Sequence, residues 1–485
     1  MLEIIKNHAV NAPQHIALRG NNGAVFSYAD FLTEINKVQA QFNTVAPVAL
    51  AMDNDLAWVV LDIACMAAHI PLLPLPSFFS DAQIKHAVLD AGASVLITDS
   101  PERFTAILGD LITQKTTLTV ANRLLMQFSL AVSPKTLPKD TAKITYTSGT
   151  TGTPKGVCLS EQAMFNVACS VQQMVKLSAQ SQHLCVLPLS TLLENVAGVY
   201  ATLLAGGTAH IWPSAAVGMT GSALDVQKLH AALQQTKANT AIFIPELLSA
   251  LVLACETGAA KLPHLHFLAV GGAHVSPNLL QRAHKLGLPV FEGYGLSESA
   301  SVVALNTPAA NKIGSVGKPL PHVQFQFSAD KEILVKGASF LGYTNNIEKS
   351  QEWLPTGDIG YVDEAGYLFI NGRKKNIFIT SFGRNVSPEW VERDLTGTAS
   401  IAQACVFGEA KPWNVALIVS KKNAPEANIH AAIEGVNQAL PDYAQVREWT
   451  IVAPFTMQSG QLTPNGRLKR DIIWQHYQDK INALY

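Results

Sequence analysis

The chain has 485 residues, more than one hydrophobic core can organise, so two or three domains are expected. Apolar residues make up 48% and charged residues 15%, the balance of a packed globular protein and not of a disordered one. The formal net charge is −1 and no long basic run occurs, so the cationic footprint of a nucleic-acid binder is missing and a small-molecule ligand is expected.

Taken in chain order, Met1–Leu18 lacks an uninterrupted apolar core and a small-residue cleavage site, so no secretory signal is expected. Strand-length apolar runs at Val48–Met52, Ser94–Thr98, His183–Pro188, Thr240–Pro245 and His266–Val270 alternate with longer stretches of helical period. That alternation predicts parallel sheets covered by helices. The most apolar stretch, Leu56–Pro76, is broken by Asp62, His69 and three prolines, and reads as a buried helix running into an irregular apolar segment, not as a membrane span. From Gly314 to Ile370, short runs follow closely around turn signals such as Asp363–Gly366, which predicts an all-β section. The polar, basic patch Asn371–Asn376 separates this section from a last segment of about 110 residues, a size that folds alone. A linker and a charged hairpin turn both fit the patch. Six cysteines (Cys65, Cys158, Cys169, Cys185, Cys255, Cys405) form no CxxC pair and have no histidine at metal spacing. They read as small buried hydrophobes in a reducing compartment, and cytoplasm is the expected setting.

Residues 144–157 carry the chemistry: ITYTSGTTGTPKGV. An apolar lead-in, Ile144–Tyr146, is followed by Thr147–Gly156, which holds five hydroxyls, three glycines and Lys155. Glycines let the backbone turn N–H groups toward an anion, hydroxyls donate to phosphate oxygens, and the lysine adds positive charge. A Walker loop is excluded because its G-x-x-x-x-G-K-[ST] pattern fails where Pro154 precedes Lys155 and Gly156 follows it. The loop reads as a different polyphosphate cradle.

Thr147–Gly156 resembles the signature loop of the adenylate-forming superfamily, which comprises acyl- and aryl-CoA synthetases, peptide-synthetase adenylation domains and beetle luciferases. Further stations match in order. Gly293–Glu298 resembles the adenine and magnesium motif, in which Tyr294 would stack on adenine and Glu298 would hold Mg²⁺ on the phosphates. Gly271, Gly272 and Ala273 match the glycine-rich turn beside the adenine. Thr356–Asp358 matches the motif whose aspartate accepts from the ribose hydroxyls, and Arg373 matches the arginine that reaches ribose and phosphate. The resemblance implies an α/β fold: a large N-terminal domain (1–372) of two layered α/β subdomains plus a small β section. A hinge at 373–375 around Lys375 and a small mobile α+β C-terminal domain (376–485) would follow. It implies nucleotide contacts from Thr147, Ser148, Gly149, Thr150, Thr151, Gly152, Lys155, Gly271, Gly272, Ala273, Glu292, Gly293, Tyr294, Gly295, Leu296, Ser297, Asp358, Arg373 and Arg384, and metal contacts from Thr147 and Glu298. The implied activity is adenylation of a carboxylic acid by ATP with Mg²⁺, then transfer of the acyl group to CoA.

Two departures qualify this carry-over. The family's C-terminal lysine, which bridges carboxylate and α-phosphate, aligns with Arg467, and Lys469 lies two residues later. Either Arg467 takes the role, or a local shift presents Lys469, or adenylation is weakened. Near Thr191, many relatives carry a histidine or aromatic gate between acyl pocket and thiol tunnel. Lys469, Arg467, Lys155 and Thr191 are therefore the catalytic candidates.

Leu189 stands where peptide synthetases place the aspartate that pairs with a substrate amine, which argues against an amino acid. Leu192, Leu193, Val196, Ala197, Gly198 and Val199 suit an aliphatic tail or ordinary helix packing. Ile379–Pro388, with Arg384, looks most like the long-chain acyl-CoA synthetase form, so a medium- or long-chain fatty acid is expected. Alternatives are transfer to the phosphopantetheine of an acyl carrier protein, β-lactone formation, and a nucleotide-binding protein without catalysis.

Overall fold

A computed structural model of the chain describes residues 1–147, 154–220, 223–337, 339–345, 352–421, 424–463 and 466–485. The alternation read from the sequence appears as two large sheets. In the eight-stranded sheet, strands Leu72–Pro74, Val48–Ala51 and Val95–Thr98 run parallel at the centre. Thr141–Thr147 joins them in parallel on one side and pairs antiparallel with Lys155–Ser160 on the other. The nine-stranded sheet has a parallel centre of Thr208–Ile211, Gln182–Cys185, Thr240–Phe243, Phe267–Val270 and Val290–Tyr294.

The stretch after the apolar helix Leu56–Ala67 is not irregular as expected: Leu72–Pro74 is a central strand. Pro71, Pro74 and Pro76 hide it, because each removes a ladder donor, yet its three residues pair with Val48–Leu50 and Leu72 also pairs with Lys143. The helix itself is apolar all round and buried from Leu56 to Met66, as a helix enclosed by other elements must be. One continuous core links residues of both sheets, including Val48, Leu72, Leu184 and Ala209.

A buried polar quartet crosses that core. Lys143, on the strand that feeds the phosphate loop, meets Asp62 at 2.9 Å. Asn195 Nδ2 and Tyr200 O–H both donate to Asp62 Oδ2, at 2.9 and 2.7 Å. Lys143 Nζ also donates to Tyr200 Oη at 3.0 Å and to Asn195 Oδ1. Burial lowers the Lys143 pKa, and Asp62 acts against that shift. A buried pair of this kind contributes less to net stability than to holding one register, here that of strand 141–147 against helices 56–67 and 193–200.

The all-β section is an antiparallel sheet of Gln324–Phe327, Glu332–Lys336, Leu354–Val362 and Leu368–Arg373. Among the described residues, no strand after Arg373 pairs with one before it. The later residues build a three-stranded sheet, Ile401–Phe407, Asn414–Ser420 and Val446–Ile451. Alternation splits its side chains: Ala404, Val406, Ala416 and Ile418 face helices Pro388–Thr396 and Glu426–Asn437. Cys405, Val415, Leu417 and Val419 face the terminal helix Arg470–Asn482.

Candidate nucleotide site

Thr147 and Lys155 are cross-strand partners at the base of a hairpin. The phosphate loop therefore joins two antiparallel strands, unlike a Walker loop, which opens a helix. Ser148, Gly149, Thr150, Thr151 and Gly152 lie outside the described residues. Beneath the hairpin, Tyr146 O–H and Thr344 O–H both donate to Asp90 Oδ2. A Cβ on Gly156 would lie 2.6 Å from Thr344 Cγ2 and 2.8 Å from Tyr146 Cζ, so the strand approaches its braces too closely for a side chain.

Lys155 is exposed, with Nζ 5.5 Å from the centroid of the Tyr343 ring. Tyr343 O–H donates to Glu298 Oε1 at 3.1 Å, so one tyrosine sits between the loop's cation and the expected metal ligand. Sequence reading missed Tyr343, Thr344 and Asp90, which lie far apart in the chain and carry no local motif.

Glu292, Gly293 and Tyr294 fall within strand Val290–Tyr294, so this motif begins inside the strand. Gly295 and Leu296 follow, and Ser297–Ser299 form a single 3₁₀ turn. Gly271 lies alongside: a Cβ there would be 3.1 Å from the Gly293 carbonyl oxygen and 4.0 Å from Leu193 Cδ2. Gly272 and Ala273 are exposed beside it.

Asp358 is buried and densely held. Tyr294 O–H donates to its Oδ2, Arg373 Nε lies 2.9 Å from its Oδ1, and its own N–H donates to Thr356 Oγ1 at 3.1 Å. Arg373 is fixed in turn by an Nη1–H bond to the Thr356 carbonyl, 3.1 Å. Burial raises the Asp358 pKa, while Arg373 pulls it back. Glu292, buried behind this cluster, is pushed up to about 8 by burial, against the opposing influence of Arg393 and the Val275 N–H.

The two C-terminal cations separate clearly. Leu462 and Leu468 pair across a small hairpin, closed by the Thr463 N–H to Arg467 carbonyl bond at 2.7 Å. Arg467 Nη2 donates to the Gly272 carbonyl at 3.3 Å. Arg467 is exposed by area, yet desolvation by the surrounding chain and the Arg373 charge lower its pKa, opposed by Asp358, Tyr294 and Glu298, so it lies within the field of the Asp358 cluster. Lys469 instead caps the terminal helix, exposed, with its N–H on the Gln461 carbonyl. Arg470 explains the division: its guanidinium forms a buried fork on Glu392, which locks the point where hairpin becomes helix.

Two other candidates stand apart. Thr191 O–H donates to the Pro188 carbonyl at 2.7 Å in a turn ahead of the helix Leu193–Tyr200. Arg384 is exposed in the turn closed by the Thr380 N–H to Arg384 carbonyl bond, and its side chain makes no hydrogen bond or ion pair among the described residues. The structure does not bring it to the Asp358 cluster. Lys375 is exposed in the 3₁₀ turn Lys374–Asn376, while Lys374 pairs with Asp330 and Glu332. Leu192, Val196, Ala197 and Val199 are core residues, and only Leu193 of the apolar positions on this helix is half-buried.

Cations Lys155, Arg373 and Arg467, with the single carboxylate Glu298, fit a magnesium nucleotide. Mg²⁺ is held by one or two carboxylates and substrate phosphates, not by an all-protein cage. Among the described residues, no cluster of three or more His, Cys, Asp or Glu could hold a resident metal. No helix among them is long and apolar enough to cross a membrane.

The family described as AMP-binding enzyme matches residues 5–337, and AMP-binding enzyme C-terminal domain matches residues 375–485. A long-chain-fatty-acid–CoA ligase of Mycobacterium bovis is 29% identical, covering 88% of this chain and 86% of its own length. The structure of anthranilate CoA ligase with anthranoyl-AMP superposes with a TM-score of 0.81 at 18% identity, over 98% of this chain and 96% of that one. The o-succinylbenzoate CoA synthetase of Bacillus subtilis, in complex with ATP and magnesium ion, superposes with a TM-score of 0.78 at 21% identity, over 96% and 98%.

Proposed function

The chain belongs to the AMP-binding enzymes of the adenylate-forming superfamily, and from that membership we propose that it activates a carboxylic acid with ATP and passes the acyl group to the thiol of CoA. The observation that carries this reading is Arg467, which the C-terminal hairpin projects onto Gly272 within the field of Asp358, Tyr294 and Glu298. A carboxylate attacking the α-phosphorus meets another anion, and a fixed cation at that point relieves the repulsion. Asp358 and Arg373 grip the ribose, Tyr294 offers its ring to the adenine, and Lys155 meets the outer phosphates. Glu298 and Thr147 would hold Mg²⁺ on the phosphates. The magnesium ion neutralises charge on the phosphates when bound. No side-chain nucleophile is needed, because the substrate supplies it.

Residues 373–375 are the hinge of this reading. Arg467 leaves the site when the C-terminal domain turns, and the second, thiol-accepting step follows.

The acid is a medium- or long-chain fatty acid. Support comes from the Ile379–Pro388 segment and from the long-chain fatty acid named for the mycobacterial relative. An amino acid is disfavoured by Leu189, which is buried, and by Glu194, whose carboxylate is consumed by His183 Nε2 at 2.7 Å and the Leu187 N–H at 2.8 Å.

Acid-dependent exchange of labelled pyrophosphate into ATP, across a panel of fatty, aromatic and amino acids, tests the first step. No exchange with any acid overturns adenylation. With an active acid, adding CoA or a holo acyl carrier protein and measuring thioester identifies the acceptor.

A further inference from the structure

Segment 272–276 does two things at once. Its first residues form the expected adenine-side turn, and both of its ends touch the C-terminal domain. Arg467 bonds Gly272 at its start. His274, in the middle, is half-buried; burial lowers its imidazole to about 4, with the Arg393, Arg373 and Arg467 charges adding to the shift and Glu389 opposing it. At its end, Ser276 meets Gly397, the residue that closes helix Pro388–Thr396.

The Gly397 contact is sterically complete. A Cβ on Gly397 would fall 2.0 Å from Ser276 Oγ and 2.5 Å from Ser276 Cβ. The backbone of Gly397 has φ −68° and ψ −10°, which any residue adopts, and its N–H already bonds the Arg393 carbonyl. The local helix end therefore makes no demand for glycine. Only the flush approach to Ser276 does.

Ser276 starts helix Pro277–Lys285 without using its hydroxyl as a cap, so its side chain has no local duty either. We propose that the bare face of Gly397 against Ser276 is a positioning contact for the adenylation step, seating the C-terminal domain so that Arg467 reaches the nucleotide. This rests on the adenylation reading above. A side chain at 397 props the domain away from segment 272–276 and withdraws Arg467. On the hinge motion proposed above, the two surfaces part for thiol transfer, so that step is untouched.

The test separates the two half-reactions in the full-length protein. Gly397→Ala is expected to lower pyrophosphate exchange about tenfold or more, since overpacking a tight contact is costly. CoA-dependent consumption of a supplied acyl-adenylate, made from the most active acid, is expected to stay within about twofold, as is usual for distant sites. Alanine has the higher helix propensity, so the thermal midpoint does not fall. Ser276→Gly in the Gly397→Ala background is expected to restore exchange to within about threefold of wild type, since glycine at a helix start costs little.

Equal loss in both half-reactions, unchanged exchange, or failure of Ser276→Gly to rescue overturns the proposal. Absence of exchange with every acid in the wild type overturns the adenylation reading itself, and this contact's role with it.

Discussion

Asp358, at the proposed ribose end of the site, is held from three sides: by Tyr294, by Arg373 and by its own backbone bond to Thr356. At the phosphate end, Lys155 rests over the Tyr343 ring, and Arg467 spends a single guanidinium bond on the Gly272 carbonyl. The first set sits on the paired strands Leu354–Val362 and Leu368–Arg373, with Tyr294 reaching in from strand Val290–Tyr294. The second sits on a hairpin base and on a hairpin of another domain. Groups that grip an unchanging part of a substrate gain from being braced beforehand. Groups that meet charge developing in the transition state need donors still free to give, and here those donors arrive from two directions. Under the proposed function, the contrast is one between a fixed holder and an assembled catalyst.

Arg467→Ala gives the sharpest break. Pyrophosphate exchange is expected to fall about 10²- to 10³-fold, the usual loss for one electrostatic donor, with the KM for ATP changing far less. If Lys469→Ala produces the larger drop, the assignment of the two cations is reversed.

Next comes the anchor of that hairpin. Glu392→Ala strands Arg470 without its buried partner and is expected to cost about 3 kcal/mol in denaturant unfolding of the C-terminal domain. Adenylation should suffer with it, while ATP affinity of the holder stays.

On the holder side, Asp358→Asn is expected to raise the KM for ATP about tenfold, the value of a charged hydrogen bond. A pure kcat effect would place Asp358 in the chemistry instead.

A smaller effect is electrostatic. Burial lifts Glu292 from 4.5 to about 8, so between those values the folded chain keeps a proton that the unfolded chain releases. Stability therefore falls as pH rises through this window. Glu292→Gln is expected to flatten that decline in melting curves at pH 5 and pH 8. The smallest expected effect is Lys469→Ala, within about threefold in exchange, since its side chain makes no hydrogen bond or ion pair among the described residues, unlike that of Arg467.

The sequence made the holder legible because each of its parts lies in a short run: Gly271–Ala273, Val290–Tyr294, Thr356–Asp358 and Gly372–Arg373. Strand alternation was readable too, except at Leu72–Pro74, where prolines mask a central strand. Tyr343, Thr344 and Asp90 were invisible, since their work depends on neighbours 45 to 254 positions away in the chain. The apolar run Leu192–Val199 could not be sorted into core and pocket, because hydrophobic periodicity is the same for both.

The sequence by itself reads Thr147–Gly156 as a polyphosphate cradle and excludes a Walker loop, since spacing of glycine, hydroxyl and lysine is a local property. It could not rank Arg467 against Lys469, two cations separated by one residue. Tertiary structure decided which of them faces the nucleotide cluster. The buried Arg470–Glu392 fork sets where the hairpin ends, turning Lys469 into a helix cap on the surface and leaving Arg467 opposite Gly272.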